Sequence, residues 1–304
     1  MRDFLMTTDL SPDELRGVVD LAIDVKRNPG SVAGRLDGFK VGLFFQKPST
    51  RTRVSCEVAA VDLGAHPVTL RDEEVGLGTR EAPEDVARVL DRYLDVLALR
   101  VFDHRDLEAM APHTDAAVIN LLSDVSHPVQ ALADLQTIAE SRPLSGTKVA
   151  YVGDGNNVCH SLLLSGAMTG MDVRVATPEG FGPRQDIVDA AAAVASGTGA
   201  TLSIGTDAVE SVAGADVVYT DVWTSMGHEA EAATRLAAFD GFMIDEPLFD
   251  SASSDAIFLH CLPAHRGEEV TDGVMDHERS RVFDQAENRA HAFKALLLHL
   301  TGKL

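Results

Sequence analysis

Only three cysteines occur in this chain of 304 residues. Cys56, Cys159 and Cys261 stand far apart and in no metal-ligand spacing. This argues against a disulfide framework and against any metal site, and it fits a reducing, cytoplasmic setting. Lysine is almost as scarce. Six of the 26 basic residues are lysine and 20 are arginine, against 47 acidic residues and a formal charge of −21. Nucleic acid and anionic membrane surfaces repel such a chain, so neither is expected as a partner. Few lysines among many carboxylates fit a halophilic protein, whose self-repulsion salt screens; a GC-rich genome gives the same arginine bias. No run approaches the ~18 apolar residues of a membrane span. The start, Met1 to Leu15, carries five charged residues and no apolar core, so it does not read as a signal peptide. Internal repeats are lacking, and so is the glycine-lysine loop of nucleotide triphosphatases.

What the chain does have is a repeated alternation of short apolar runs with amphipathic stretches. Ser11-Pro12-Asp13-Glu14 is a capping box with proline at the first helical position, and Asn28-Pro29-Gly30 ends that helix. Val41–Phe45, Val96–Val101 and Ala117–Asn120 read as buried strands. Pro83-Glu84-Asp85 opens a helix expected to bury Val86, Val89, Leu90, Tyr93 and Leu94 on one face. After a junction at Ser141–Gly146 the pattern restarts. Strands are expected at Lys148–Val152, Asp172–Thr177, Ala200–Ile204, Asp216–Tyr219 and Ala256–His260, with a final helix from Glu287 to Leu300. The length and this double run predict an α/β chain of two doubly wound parallel-sheet domains linked by helices. The boundaries are placed at 1–140 and 141–284, with a C-terminal helix over 285–304 packing back on the first domain. In such folds ligands bind beyond the carboxyl ends of the strands, so the loops after strands carry the functional reading.

Three of these loops stand out. Ser49-Thr50-Arg51-Thr52-Arg53 follows the first strand, and its hydroxyls, guanidinium groups and helix-start N–H groups suit a phosphate. A capped helix with solvated arginines is the plain alternative. His127-Pro128-Val129-Gln130 holds an imidazole at a helix start, where it can donate to a carbonyl oxygen or simply cap. His260-Cys261-Leu262-Pro263 ends a strand, and its cysteine is either a nucleophile or a small buried apolar residue. The turn Gly153-Asp154-Gly155-Asn156-Asn157 lacks the third glycine of a dinucleotide site and reads as a tight strand-to-helix turn.

Together with Asp221-Val222-Trp223-Thr224-Ser225-Met226-Gly227, these loops stand in the order and approximate spacing of one family. Over nearly its whole length the chain resembles the aspartate/ornithine carbamoyltransferase superfamily, and the Ser-Met-Gly and His-Cys-Leu-Pro segments point to the ornithine branch. The resemblance implies carbamoyl transfer from carbamoyl phosphate to the side-chain amine of L-ornithine, giving citrulline and phosphate. No cofactor and no metal are implied. It places Ser49, Thr50, Arg51, Thr52, Arg100, His127, Gln130, Cys261, Leu262 and Arg289 around carbamoyl phosphate, and Asn157, Asp221, Ser225 and Met226 around ornithine. Arg51, Arg100, His127 and Cys261 would carry the catalysis. It also implies a homo-oligomer, a trimer or a multiple of one, because a loop reaches into a neighbouring subunit's site. In that loop Gly76 stands where glutamine is common, so the contact is either lost or supplied by Thr79 or Arg80. Two other readings stay open: a carbamoyltransferase for a different amine, and a carbamoyl-phosphate-binding regulatory protein without turnover.

Overall fold

The computed structural model describes residues 1–224 and 231–304. They divide into two compact units, Met1–Gln136 with Glu287–Leu304, and Thr137–Ala286.

The first unit begins with α1 (Pro12–Arg27). Ser11 caps it by accepting from Glu14 N, while the Glu14 carboxylate accepts from Ser11 N. This is the reciprocal box expected from the sequence. The elements that follow are β1 (Lys40–Phe45), α2 (Thr50–Asp62), β2 (His66–Arg71), α3 (Asp72–Val75), α4 (Pro83–Leu90), β3 (Val96–Arg100), α5 (His104–Met110), β4 (Ala117–Leu122) and α6 (Pro128–Ala139). The strands are all parallel among the described residues, in the order β2-β1-β3-β4. Phe44, Leu97, Leu99 and Val118 from the sheet meet Val86, Ala87, Leu107 and Met110 from α4 and α5 to form a core. Burial on both faces explains why β1, β3 and β4 read as continuous apolar runs rather than alternating ones.

Two expectations need correction here. Strand β2 was not expected. It is an edge strand whose middle is only half-buried and which starts His66-Pro67, so it lacks the apolar run that marks its neighbours. The expected apolar face of α4 is also too long. The helix ends at Leu90, Val86 and Leu94 are buried, and Val89 and Tyr93 are exposed.

The second unit repeats the plan with β5 (Lys148–Val152), α7 (Asn157–Thr169), β6 (Asp172–Ala176), α8 (Gln185–Thr198), β7 (Thr201–Gly205), α9 (Ala208–Val212), β8 (Val217–Thr220), α10 (Ala232–Ala238), α11 (Glu246–Asp250), β9 (Ile257–His260), α12 (Asp272–Met275) and α13 (Val282–Thr301). Its sheet, also parallel among the described residues, runs β7-β6-β5-β8-β9. The chain crosses between the units within α6 and within α13.

Strand order fixes where a site belongs. In the first unit the chain moves from β1 outward to β2, then returns to place β3 on the other side of β1. In the second it moves from β5 to β6 and β7, then returns to place β8 beside β5. Each reversal opens a crevice past the strand ends. The loop 46–49 and Arg100 border the first crevice; the turn 153–156 and Asp221 border the second.

Candidate active site

In the first unit the phosphate-suited loop is built as a helix start. Ser49 is the N-cap of α2: its hydroxyl accepts from Thr52 N at 3.3 Å and donates to Thr52 Oγ1 at 2.9 Å. The N–H groups of the first turn therefore point out of the helix beside Thr50 and Arg51. Thr50 is exposed and Arg51 half-buried, with its Nε buried and lacking a hydrogen-bond partner among the described residues. The Thr52 hydroxyl oxygen also accepts from Arg289 Nη2 at 2.5 Å. With its oxygen accepting twice, Thr52 keeps its own hydroxyl hydrogen available as a donor. Arg289 lies on α13, some 237 residues later in the chain.

Arg100 ends β3 opposite Phe45, and Gln46 N donates to its carbonyl at 2.9 Å. Arg100 and Arg289 both act on His127, which is only 4% exposed. Burial pushes its pKa well below the ordinary 6.5, and the two guanidinium charges push it further in the same direction. His127 is thus a neutral imidazole at neutral pH. Gln130 sits one turn into α6, its amide donating to Asp134 Oδ1 at 2.8 Å. That bond orients the amide, leaving Gln130 Oε1 buried and without a partner among the described residues. Ser49, Thr52, Arg289, Arg100 and His127 are thereby brought together within one unit.

In the second unit Asp221 follows β8 and is buried. Cys261 Sγ donates to its Oδ1 at 3.0 Å and Asn156 Nδ2 to its Oδ2 at 2.8 Å. Asn156 is also the N-cap of α7, its Oδ1 accepting from Val158 N and Cys159 N. One side chain thus ties the glycine turn to the carboxylate, while Asn157, the first helical residue, is half-buried beside it. Sequence reading singled out Asn157 and passed over Asn156. The Asp-Gly-Asn run before a helix is a capping signal that could have found it.

Cys261 and Leu262 are held from behind. His260 is fully buried; Leu262 N donates to its Nδ1 at 2.9 Å, so Nε2 carries the hydrogen and donates to Glu269 Oε1 at 3.1 Å. His260 N donates to Gln285 Oε1. Leu262 sits at φ 60°, a left-handed backbone unusual for leucine, and is followed by a cis bond to Pro263. Asp221, His260 and Cys261 bring ligand atoms within 4.8 Å of one another. Both ring nitrogens of His260 already serve Leu262 and Glu269, so the trio is a hydrogen-bonded support rather than an open metal cage. Ser225 and Met226 lie outside the described residues.

The loop after α3 takes a definite shape. Gly76 is left-handed at φ 66° and caps α3, and a Cβ there would meet Arg80 Cβ at 2.7 Å. The Arg80 guanidinium donates to the Glu74 carbonyl, and Thr79 Oγ1 to the Gly76 carbonyl at 3.1 Å. Glutamine would be strained at this position whatever the space around it.

Residues 2–140 match the family described as aspartate/ornithine carbamoyltransferase, carbamoyl-P binding domain, and residues 145–300 match its Asp/Orn binding domain. An ornithine carbamoyltransferase of Hyperthermus butylicus is 50% identical over 301 residues, covering 97% of this chain and 96% of the relative. One from Anoxybacillus flavithermus is 47% identical over 302 residues, covering 98% and 96%. The solved ornithine carbamoyltransferase of Pyrococcus furiosus superposes with a TM-score of 0.95 at 47% identity, covering 100% of this chain and 98% of that one. This chain belongs to the aspartate/ornithine carbamoyltransferase family.

Proposed function

We propose that the protein is an ornithine carbamoyltransferase, which moves the carbamoyl group of carbamoyl phosphate onto the δ-amine of L-ornithine. The observation that carries this reading is the buried pairing of Arg100 and Arg289 about a neutral His127, beside the capped start of α2. In this reading Ser49, Thr50, Arg51 and Thr52 hold the phosphate through hydroxyls, a guanidinium and helix-start N–H groups. Arg100, Thr52 and His127 donate to the carbamoyl oxygen as it gains charge; removing one such donor costs about 3–4 kcal/mol. A neutral imidazole suits this role, because it donates one hydrogen bond without bringing a third buried positive charge. Gln130 Oε1 is a free acceptor for the carbamoyl N–H groups.

The first unit, Met1–Gln136 with Glu287–Leu304, would bind carbamoyl phosphate, and the second, Thr137–Ala286, would bind ornithine. In the second, Asp221 takes the α-ammonium group, with Asn157, Ser225 and Met226 as the remaining contacts. Cys261 and Leu262 line the path of the amine. The neutral δ-amine attacks the carbamoyl carbon, the C–O bond to phosphate breaks, phosphate leaves, and the new C–N group loses a proton. A lysine-like side-chain amine in water titrates near ~10.4, so the reactive neutral form is scarce at neutral pH. The products, citrulline and phosphate, place the reaction in arginine metabolism. The three free thiols fit a reducing cytoplasm.

A homo-oligomer, with the trimer as its expected size, is supported by α2. Val54, Val58 and Val61 are 52%, 45% and 59% exposed and recur at helical spacing on its outer face. Such a stripe is what a second copy of the chain would cover.

Calorimetric titration with carbamoyl phosphate tests the donor half. Arg51→Ala should abolish detectable binding while the unfolding temperature holds; wild-type affinity in the variant would refute the phosphate assignment.

A further inference from the structure

The second unit carries a cavity of about 590 Å³, lined by none of the described residues assigned to ornithine. That is within the range of small-molecule sites. Val209 and Leu236 line it although they are 63% and 44% exposed, and buried Trp223 lines it too. Val209 and Leu236 thus converge on one hollow without burying themselves in it. Asp240, Asp245 and Glu268 also line it, and neither lysine nor arginine contributes among the described residues. The nearby Arg235 does not offset these carboxylates. Its guanidinium binds the Trp223 carbonyl at 2.9 Å and is matched by Asp154 at 2.9 Å and Glu231 at 3.1 Å.

We propose that this cavity is a second binding site, for a small organic cation with an apolar body, of the alkylammonium type. The apolar walls take the hydrocarbon. The carboxylates then take the ammonium group. A neutral molecule of the same shape would gain the first term alone, and an anion would meet three like charges. Neither Asp221 nor Cys261 lines the cavity, so occupancy does not require either of them.

Trp223 is the single tryptophan of the chain, so its fluorescence reports on this cavity directly. The experiment titrates the full-length protein with n-hexylammonium, 1-hexanol and hexanoate while following tryptophan emission. Asp245 is left alone in the variants because it caps α11 by accepting from Leu248 N. The expected result is a saturable change with hexylammonium, at least tenfold weaker binding of hexanol, and none of hexanoate. The Asp240→Asn, Glu268→Gln double variant should bind hexylammonium about tenfold more weakly and hexanol as the wild type does, which shows that it is folded. Asp221→Asn should bind hexylammonium unchanged. Equal binding of the three probes, no saturable change, or a loss only in Asp221→Asn would each overturn the proposal. The last of these would move the cation to the ornithine half, whose own assignment would stand.

Discussion

His127 shows how a residue's surroundings set its chemistry. Burial and two guanidinium groups all disfavour its charged form, so it stays neutral where an exposed histidine would begin to titrate. The sign of the stability effect follows. The unfolded chain takes up a proton near pH 6.5 and the native His127 does not, so stability falls as the pH drops from about 6.5 toward the native value. His291, lowered chiefly by its own burial, acts in the same direction. The unfolding temperature of the wild type should therefore fall more steeply between pH 7 and pH 5.5 than that of His127→Gln. Equal slopes would mean that His127 is not held neutral. The motif residues were legible because short runs such as Ser49–Arg53 and His260–Pro263 concentrate chemistry in sequence. Their supports were not. Glu269 behind His260, and Arg235 between Asp154 and Trp223, act across separations of nine to 81 residues, and nothing local marks them.

At the scale of elements, legibility mostly followed burial; the exposed edge strand β7, expected within one residue of its observed bounds, is the exception. The fully buried β3 and the mostly buried β1, β4 and β5 read as apolar runs, and their observed bounds lie within two residues of those expected. Strand β2, at a sheet edge, gave no such run. The glycine turn before α7 is a second case where tertiary contact decides. Gly155 faces the 181–183 loop so closely that a Cβ would meet Gly182 C and Pro183 N at 2.3 Å and Phe181 O at 2.7 Å. These are backbone atoms and cannot swing aside. Gly155→Ala should cost about 2–3 kcal/mol in chemical denaturation, at the upper end for overpacking. It should also displace Asn156, which holds Asp221. A variant as stable as the wild type would show that the two loops do not approach this closely.

For the molecule as a whole, sheet order carries the most information. Two parallel sheets, each reversing direction once, put Arg100 beside the 46–49 loop in one unit and Asp221 beside the 153–156 turn in the other. The alternation of strands and helices predicted the fold class, but strand order is a property of long-range pairing and was not readable from periodicity. Assembly is a further property of this scale. Val58 lies in the exposed stripe of α2 and takes no part in the core. Val58→Asp should leave the unfolded-to-folded transition of the subunit intact and lower the mass measured by light scattering toward that of a 32.5 kDa monomer. An unchanged mass would separate the stripe from assembly.

The central claim concerns the pair of substrates, and product analysis tests it most directly. The protein is supplied with carbamoyl phosphate and, in turn, L-ornithine, L-aspartate, putrescine and Nα-acetylornithine, and the ureido product and released phosphate are both measured. The account predicts citrulline and phosphate in equal amounts with ornithine, and at least a hundredfold lower kcat/KM with each other amine. Preferred carbamoylation of another amine, or binding of both substrates without phosphate release, would contradict it.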